Sequence, residues 1–230
     1  MNNYESFSHK FTKFAKEKYN IDIKIKPKSK SPLMIMMMFF VFWFNPKFMS
    51  YITVIGKTIY VPSTFFQNSI HIQARVLFHE LIHVKQSIKH KVGLFFALYL
   101  FPQIIILPFL MVMIPLVVFT SMYWAWLFIG VLCLLPWPAY WRFKFEKEAY
   151  FDSDLFCDYF ILRKDAPEPS FLKLFYGIDY YLMWPFKNNL KKLVSEKLEK
   201  YENKVLTTEQ KDFALWLKED IGLIFGRRVD

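Results

Sequence analysis

The sequence predicts an α+β protein that is mostly helical, with a small β-sheet and an inserted transmembrane helical hairpin. Hydrophobic residues make up 54% of the 230-residue chain and aromatic residues 20%, which is more than the core of a soluble domain of this size needs. Charged residues still make up 22%, so apolar and polar segments must be separated along the chain. Helical and strand periodicities follow one another within the polar segments.

Two helices and a strand are predicted in the first 91 residues. Phenylalanines at helical spacing predict an amphipathic helix over residues 4–18. Apolar and polar residues alternate over Ile21–Ile25, which predicts a strand closed by Pro27. From Ser69 to His90 the apolar residues again recur at helical spacing.

A β-hairpin and a short apolar run lie between these elements. Tyr51–Ile55 and Thr58–Val61 flank a Gly-Lys turn and predict the hairpin. Residues 33–44 carry no charge but are too few to span a membrane. This run is expected either to pack as a buried helix or to lie in the membrane interface.

Residues 92–141 contain no Asp, Glu, Lys or Arg. Fifty such residues suffice for two membrane crossings of about 20 residues each, and a helical pair buried in a soluble core is the weaker alternative. Basic residues flank the segment on both sides, namely Lys85, Lys89, Lys91, Arg142 and Lys144. The positive-inside rule therefore predicts an integral membrane protein with its soluble parts on the cytoplasmic side.

The predicted organisation is one domain with a membrane insertion. Residues 1–91 supply the N-terminal helix, the small sheet and a long helix, 92–141 the hairpin, and 142–230 a further helical region. The net charge of +10 fits an anionic membrane surface, and no motif supports binding of nucleic acid. We therefore expect the lipid bilayer as a partner and no nucleic acid.

The motif with the clearest chemistry is His79-Glu80-Leu81-Ile82-His83. Histidines four apart lie on one face of a helix and can bind one metal ion, and zinc accepts neutral imidazole nitrogen. Glu80 follows the first histidine, where its carboxylate could act as general base on a zinc-activated water. The alternative is a helix with two structural histidines that packs against the membrane hairpin.

A third metal ligand is expected from the acidic segment 142–152, which follows the apolar stretch. Glu146 is favoured because the small Ala149 lies one turn later on its face, whereas Glu148 has bulky Phe151 there. Glu148 remains the rival, because Asp152 four residues later could orient a ligand histidine.

His79-Glu80-x-x-His83, a hydrophobic hairpin and then Glu146-x-x-Ala149 together resemble the membrane zinc endopeptidases of the HtpX and CAAX prenyl protease type. The resemblance implies a zincin-like core of the gluzincin class in which Glu146 binds zinc and Ala149 allows close helix packing. Tyr150 stands where that family has Asp. The Glu148-x-x-x-Asp152 spacing is similar to the thermolysin-type motif. The Glu146-x-x-Ala149-Tyr150 variant of the family's second motif also resembles phage-encoded peptidase-like proteins, more loosely.

The expected function is that of a zinc-dependent, membrane-anchored endopeptidase that cleaves membrane-associated polypeptides with Glu80 as general base. The strand Thr58–Val61 is expected to align an extended substrate along its edge. Two alternatives remain, a non-catalytic adaptor stabilised by zinc and a small membrane-active protein that needs no metal.

Overall fold

A computed structural model of the chain describes residues 3–41, 47–101, 139–161, 169, 171–177 and 183–223. It is mostly helical with a three-stranded sheet, as the sequence predicts. The first half contains α1 (Asn3–Tyr19), β1 (Lys24–Pro27), α2 (Pro32–Val41), β2 (Thr53–Ile55), β3 (Thr58–Val61), α3 (Ile70–Lys89) and α4 (Val92–Leu100). The second half contains α5 (Tyr140–Ala149), a π-helical turn (Tyr150–Asp154), α6 (Leu155–Phe160), α7 (Leu172–Tyr176), α8 (Lys187–Glu202) and α9 (Thr208–Glu219).

The sheet confirms the predicted hairpin and adds a parallel strand to it. β2 and β3 are antiparallel, and the turn between them contains Gly56 at φ +59°, a backbone conformation that glycine adopts without steric cost. β1 pairs with β3 in parallel, so the strand order is β1-β3-β2. The expectation that β3 offers an edge to a substrate is therefore wrong, because both of its sides are already paired.

The strand predicted over Ile21–Ile25 begins later, at Lys24. Asn20 adopts a positive φ of 54° directly after α1, and the Ile21 amide donates to the Ala15 carbonyl. Ile21 and Ile23 are buried in the core, which accounts for the apolar alternation before pairing with β3 starts.

The long helix α3 runs through the centre of the fold. Its buried apolar face packs against α1 and α9, and the Phe78 ring stacks on Phe213 with centroids 4.0 Å apart. Trp216 of α9 stacks on Phe14 of α1 at 4.9 Å. The opposite side of α3 contacts α4, α5 and the π-helical turn. Aromatic packing therefore holds the N- and C-terminal helices on one side of α3 and leaves the other side for the histidines.

Helix α9 begins with a capping box, as the Thr207-x-x-Gln210 pattern in the sequence indicates. The Gln210 amide donates to the Thr207 hydroxyl, and the Thr207 amide donates to the Gln210 side chain. Both contacts satisfy amides that a helix leaves unpaired in its first turn.

Most of the predicted transmembrane hairpin, residues 102–138, lies outside the described residues. Its first nine residues form α4 and its last two begin α5. Among the helices that are described, none has both the length and the apolar character needed to cross a membrane. The division into 1–91, 92–141 and 142–230 stays a prediction.

Candidate metal centre

The two motif histidines lie side by side on α3. His79 and His83 are 8% and 7% exposed, and their Nε2 atoms are 3.1 Å apart. Their spacing of four residues places them on the same helix face, as predicted. That face is turned toward α5, so both Nε2 atoms point at the same place.

Glu146 of α5 completes a group of three possible ligands. Its Oε2 atom lies 3.5 Å from His79 Nε2 and 3.6 Å from His83 Nε2, and the side chain is only 4% exposed. The chain reaches this position because α5 follows the apolar segment and packs on α3. The fully buried Ala149 lies one turn further along α5, where the sequence called for a small residue.

The spacing of the three ligand atoms suits a tetrahedrally coordinated ion. An ion held at about 2.0–2.1 Å from each ligand separates those ligands by about 3.3–3.4 Å. The three observed distances, 3.1, 3.5 and 3.6 Å, lie on either side of that value. His79, His83 and Glu146 can therefore hold a metal ion with little rearrangement.

Each histidine is oriented through its other ring nitrogen. His79 Nδ1 lies 2.8 Å from Asp154 Oδ2, and His83 Nδ1 lies 2.9 Å from Gln86 Oε1. If Nδ1 carries the proton and donates in both contacts, each Nε2 presents its lone pair to the common point. Such partners fix the tautomer and raise the basicity of a ligand histidine.

The rival ligand Glu148 lies outside the group of three. The side-chain Nε2 of Gln86 donates to Glu148 Oε2 at 2.9 Å and to the Phe145 carbonyl at 3.1 Å. The side-chain Oε1 of Gln86 faces His83. Glu148 thus supports His83 through Gln86. Asp152, expected to hold a histidine in this rival register, accepts instead from Lys197 at 2.6 Å.

Asp154, which the sequence did not single out, takes the role that Asp152 was expected to have. It lies eight residues after Glu146, and residues eight apart on a regular α-helix are offset by about 80°. The π-helical turn absorbs one extra residue, so Asp154 returns to within about 20° of the Glu146 direction. Arg75 of α3 then bridges Asp154 at 3.5 Å and Asp158 at 3.3 Å.

Tyr99 of α4 is a second contact that sequence reasoning missed. Its hydroxyl donates to Glu146 Oε1, which leaves Oε2 to face the histidines. The Arg142 side chain donates to the Tyr99 carbonyl at 3.1 Å and lies over the Tyr99 ring. The residues on either side of the undescribed apolar stretch are therefore joined to each other and to the metal centre.

The charges of this centre depend on one another. Burial lowers the pKa of His79, but its contacts with Asp154 and Glu146 outweigh this and hold the pKa well above the usual value. Burial raises the pKa of Glu146, but the two histidines outweigh it and hold that pKa well below the usual range. Glu146 is therefore held in the anionic form in which it can bind a divalent cation, whereas each histidine must present an unprotonated Nε2 and gives up its extra proton when a metal binds.

Glu80 and the ligand atoms line an open cleft of about 570 Å³. Burial raises the pKa of the Glu80 carboxyl, and the neighbouring His79 and His83 offset this only in part. Tyr150 forms another part of the wall, with its ring edge-on to His79 at 4.4 Å. The three possible ligands and Glu80 are therefore accessible from the same cleft.

Comparison of the chain with protein-family models, with curated proteins and with solved structures finds no match.

Proposed function

We propose that the protein is a zinc-dependent, membrane-anchored endopeptidase similar to the gluzincins of the HtpX and CAAX prenyl protease type. The observation that carries this proposal is the group formed by His79, His83 and Glu146, with ligand atoms at tetrahedral spacing. Two imidazoles and one carboxylate form a donor set that zinc accepts in hydrolytic sites.

The cleft favours catalysis over a purely structural zinc site. Structural zinc sites fill four positions with protein ligands, whereas catalytic sites keep one position open. Within the described part of the chain, three ligands meet, and they line a cleft that also contains Glu80. This arrangement supports the endopeptidase over the non-catalytic adaptor.

Zinc bound here would supply a Lewis acid for the scissile carbonyl and lower the pKa of water beside it. Glu80 accepts a proton from the attacking water and delivers it to the leaving amine. The Nδ1 contacts of Asp154 and Gln86 keep both histidines pointed at the metal position. The peptide C–N bond breaks, and the products are a carboxylate and an amine.

A peptide substrate would align along β2, which replaces β3 in this role. β2 is an edge strand of the described sheet, and Thr53 and Val54 line the cleft. An extended peptide can add to such an edge through main-chain hydrogen bonds, which bind it without regard to most side chains. The scissile bond would then lie within the cleft that Glu80 lines together with the three ligand residues.

Membrane association rests on the charge-free residues 92–141 and on the basic residues at both ends of that segment. We propose that this segment anchors the chain in the bilayer, with the cleft on the cytoplasmic side. Substrates would accordingly be polypeptides in or beside the membrane.

Replacement of Glu80 by glutamine tests the catalytic proposal. Removing a general base is expected to lower peptide hydrolysis by about 10²–10⁴-fold while zinc stays bound. The measurement is cleavage of a peptide library by zinc-loaded protein in lipid vesicles, with zinc content determined on the same samples. Glu17→Gln, which alters an exposed ion pair on α1, serves as the control. Equal cleavage by wild type and Glu80→Gln, or no cleavage by either, would contradict the proposal.

A further inference from the structure

Helix α2 is apolar around its whole circumference, with the sequence Pro-Leu-Met-Ile-Met-Met-Met-Phe-Phe-Val. Within residues 32–39, whose burial is described, Met34 alone is buried. Met36 is 53% exposed and Phe39 68% exposed, and Leu33 and Ile35 are more than one-third exposed. A helix that is apolar on all sides normally lies in a protein core or in lipid.

The length of α2 limits how it can lie in either of these two environments. Ten residues at 1.5 Å each extend about 15 Å, half the hydrocarbon thickness of a bilayer. An apolar segment of this length is typical of a buried helix or an interfacial one. Because most of the side chains of residues 32–39 are exposed, the buried alternative does not apply to α2.

The charges around α2 indicate which surface it meets. Residues 23–79 contain no Asp or Glu, but they contain six lysines and one arginine. Lys24, Lys26 and Lys30 are exposed just before α2, and Lys47 is exposed just after it. A basic segment without acids is attracted to the anionic headgroups of a membrane.

Apolar side chains of both α2 and α4 line the cleft. Met37 of α2 and Leu100 of α4 both line the cleft. Leu94 and Phe101 add exposed apolar area on and just beyond α4, which forms the first nine residues of the charge-free segment 92–141. Both walls of the cleft therefore present apolar side chains on the side where the chain is expected to enter the bilayer.

We propose that α2 inserts into the headgroup region of an anionic bilayer and sets the mouth of the cleft against the membrane surface. The inserted side chains are those of Leu33, Ile35, Met36 and Phe39, and the flanking lysines bind lipid phosphates. The substrates selected in this position are polypeptide segments that lie along the membrane surface or emerge from it. The inference rests on the membrane association in the proposed function, but not on peptide hydrolysis.

A fluorophore on α2 tests this directly in the full-length chain. An environment-sensitive dye is attached to the Phe39→Cys variant in a Cys133→Ser background. Cys157 is kept, because it is buried and protected from labelling. Vesicles contain phosphatidylcholine and phosphatidylglycerol with a nitroxide quencher at shallow depth. Leu215→Cys provides the matched control, because Leu215 is also an exposed apolar residue but lies on α9.

The expected result is strong quenching of the dye at position 39 and little at position 215. Replacing Lys26 and Lys30 by glutamine should lower the ratio of docked to undocked α2 by about five-fold per charge, and pure phosphatidylcholine should lower it further. If the chain floats with the vesicles but position 39 is quenched no more than position 215, the inference is overturned while the membrane anchor stands. If the chain does not float with vesicles, both the anchor and the docking of α2 are wrong, and hydrolysis is judged separately on Glu80→Gln.

Discussion

Removing the Asp154 carboxylate should weaken zinc binding without removing any ligand. Asp154 Oδ2 lies 2.8 Å from His79 Nδ1 and holds the imidazole in the orientation that points Nε2 at the metal position. In Asp154→Asn the side chain keeps one oxygen that can accept from Nδ1 but loses its negative charge. The ligand therefore becomes less basic and less firmly oriented.

The expected loss of zinc affinity follows from what partners of ligand histidines contribute in other metal sites. Loss of a partner that orients a metal-bound histidine costs about 10–100-fold in metal affinity, or about 1.4–2.7 kcal/mol. Asp154→Asn should fall near the lower limit because the amide oxygen remains, and Asp154→Ala near the upper limit. Competition with a chromophoric zinc chelator at neutral pH measures the zinc affinity of both variants.

Asp158→Asn is the matched control for this series. Arg75 pairs with both Asp154 and Asp158, so each change removes one of these two ion pairs, but of the two aspartates only Asp154 contacts His79. Zinc affinity in Asp158→Asn should stay within about two-fold of wild type, as the loss of a partly exposed ion pair alone would predict. Equal losses in the two asparagine variants would refute the assignment, because the effect would then come from the Arg75 contact.

Two further outcomes are expected away from the ligand atoms. Tyr99→Phe removes the hydroxyl that donates to Glu146 Oε1 and should weaken zinc binding about ten-fold. Tyr51→Phe, on the wall of the same cleft, should leave the zinc affinity unchanged. Competition with the zinc chelator measures the affinity of both variants. Burial lowers the pKa of Lys28 from 10.5 to about 8, so between these pH values the folded protein binds fewer protons than the unfolded chain. The free energy of unfolding should therefore rise by up to about 3 kcal/mol from pH 8 to 10.5. Lys28→Met should abolish this rise in chemical denaturation, and a constant difference between variant and wild type would contradict it.

Local patterns allowed much of the fold to be predicted from the sequence. The hairpin, α1, α3 and the Thr207 capping box each depend on residues close together in the chain, and the structure contains all of them. The pairing of β1 with β3 is a contact between residues more than 30 apart. Nothing in either strand alone specifies that partner, so the central position of β3 could not be predicted.

The same distinction applies to the metal centre. His79 and His83 share one helix, so their spacing was sufficient to place them together. Asp154 was missed because its position depends on the π-helical turn, which changes the register after Glu146. A search for a carboxylate four residues after either glutamate leads to Tyr150 or Asp152, and neither makes the contact with His79 Nδ1 that Asp154 makes.

Tyr99 was missed for another reason. It lies within the segment predicted to be transmembrane, where an aromatic residue is an ordinary member of the apolar pattern. Its role follows from the packing of α4 against α5, which brings the hydroxyl to Glu146. Only the three-dimensional arrangement reveals that contact.

The central claim is that His79, His83 and Glu146 bind zinc, and the zinc retained per chain after loading and dialysis tests it most directly. The account predicts one zinc per chain in wild type, a sharp reduction in Glu146→Gln, and retention in Glu148→Gln, whose carboxylate contacts Gln86 and lies outside the group of three ligands. A wild-type protein that retains no zinc, or a Glu148→Gln variant that loses as much as Glu146→Gln, would contradict it.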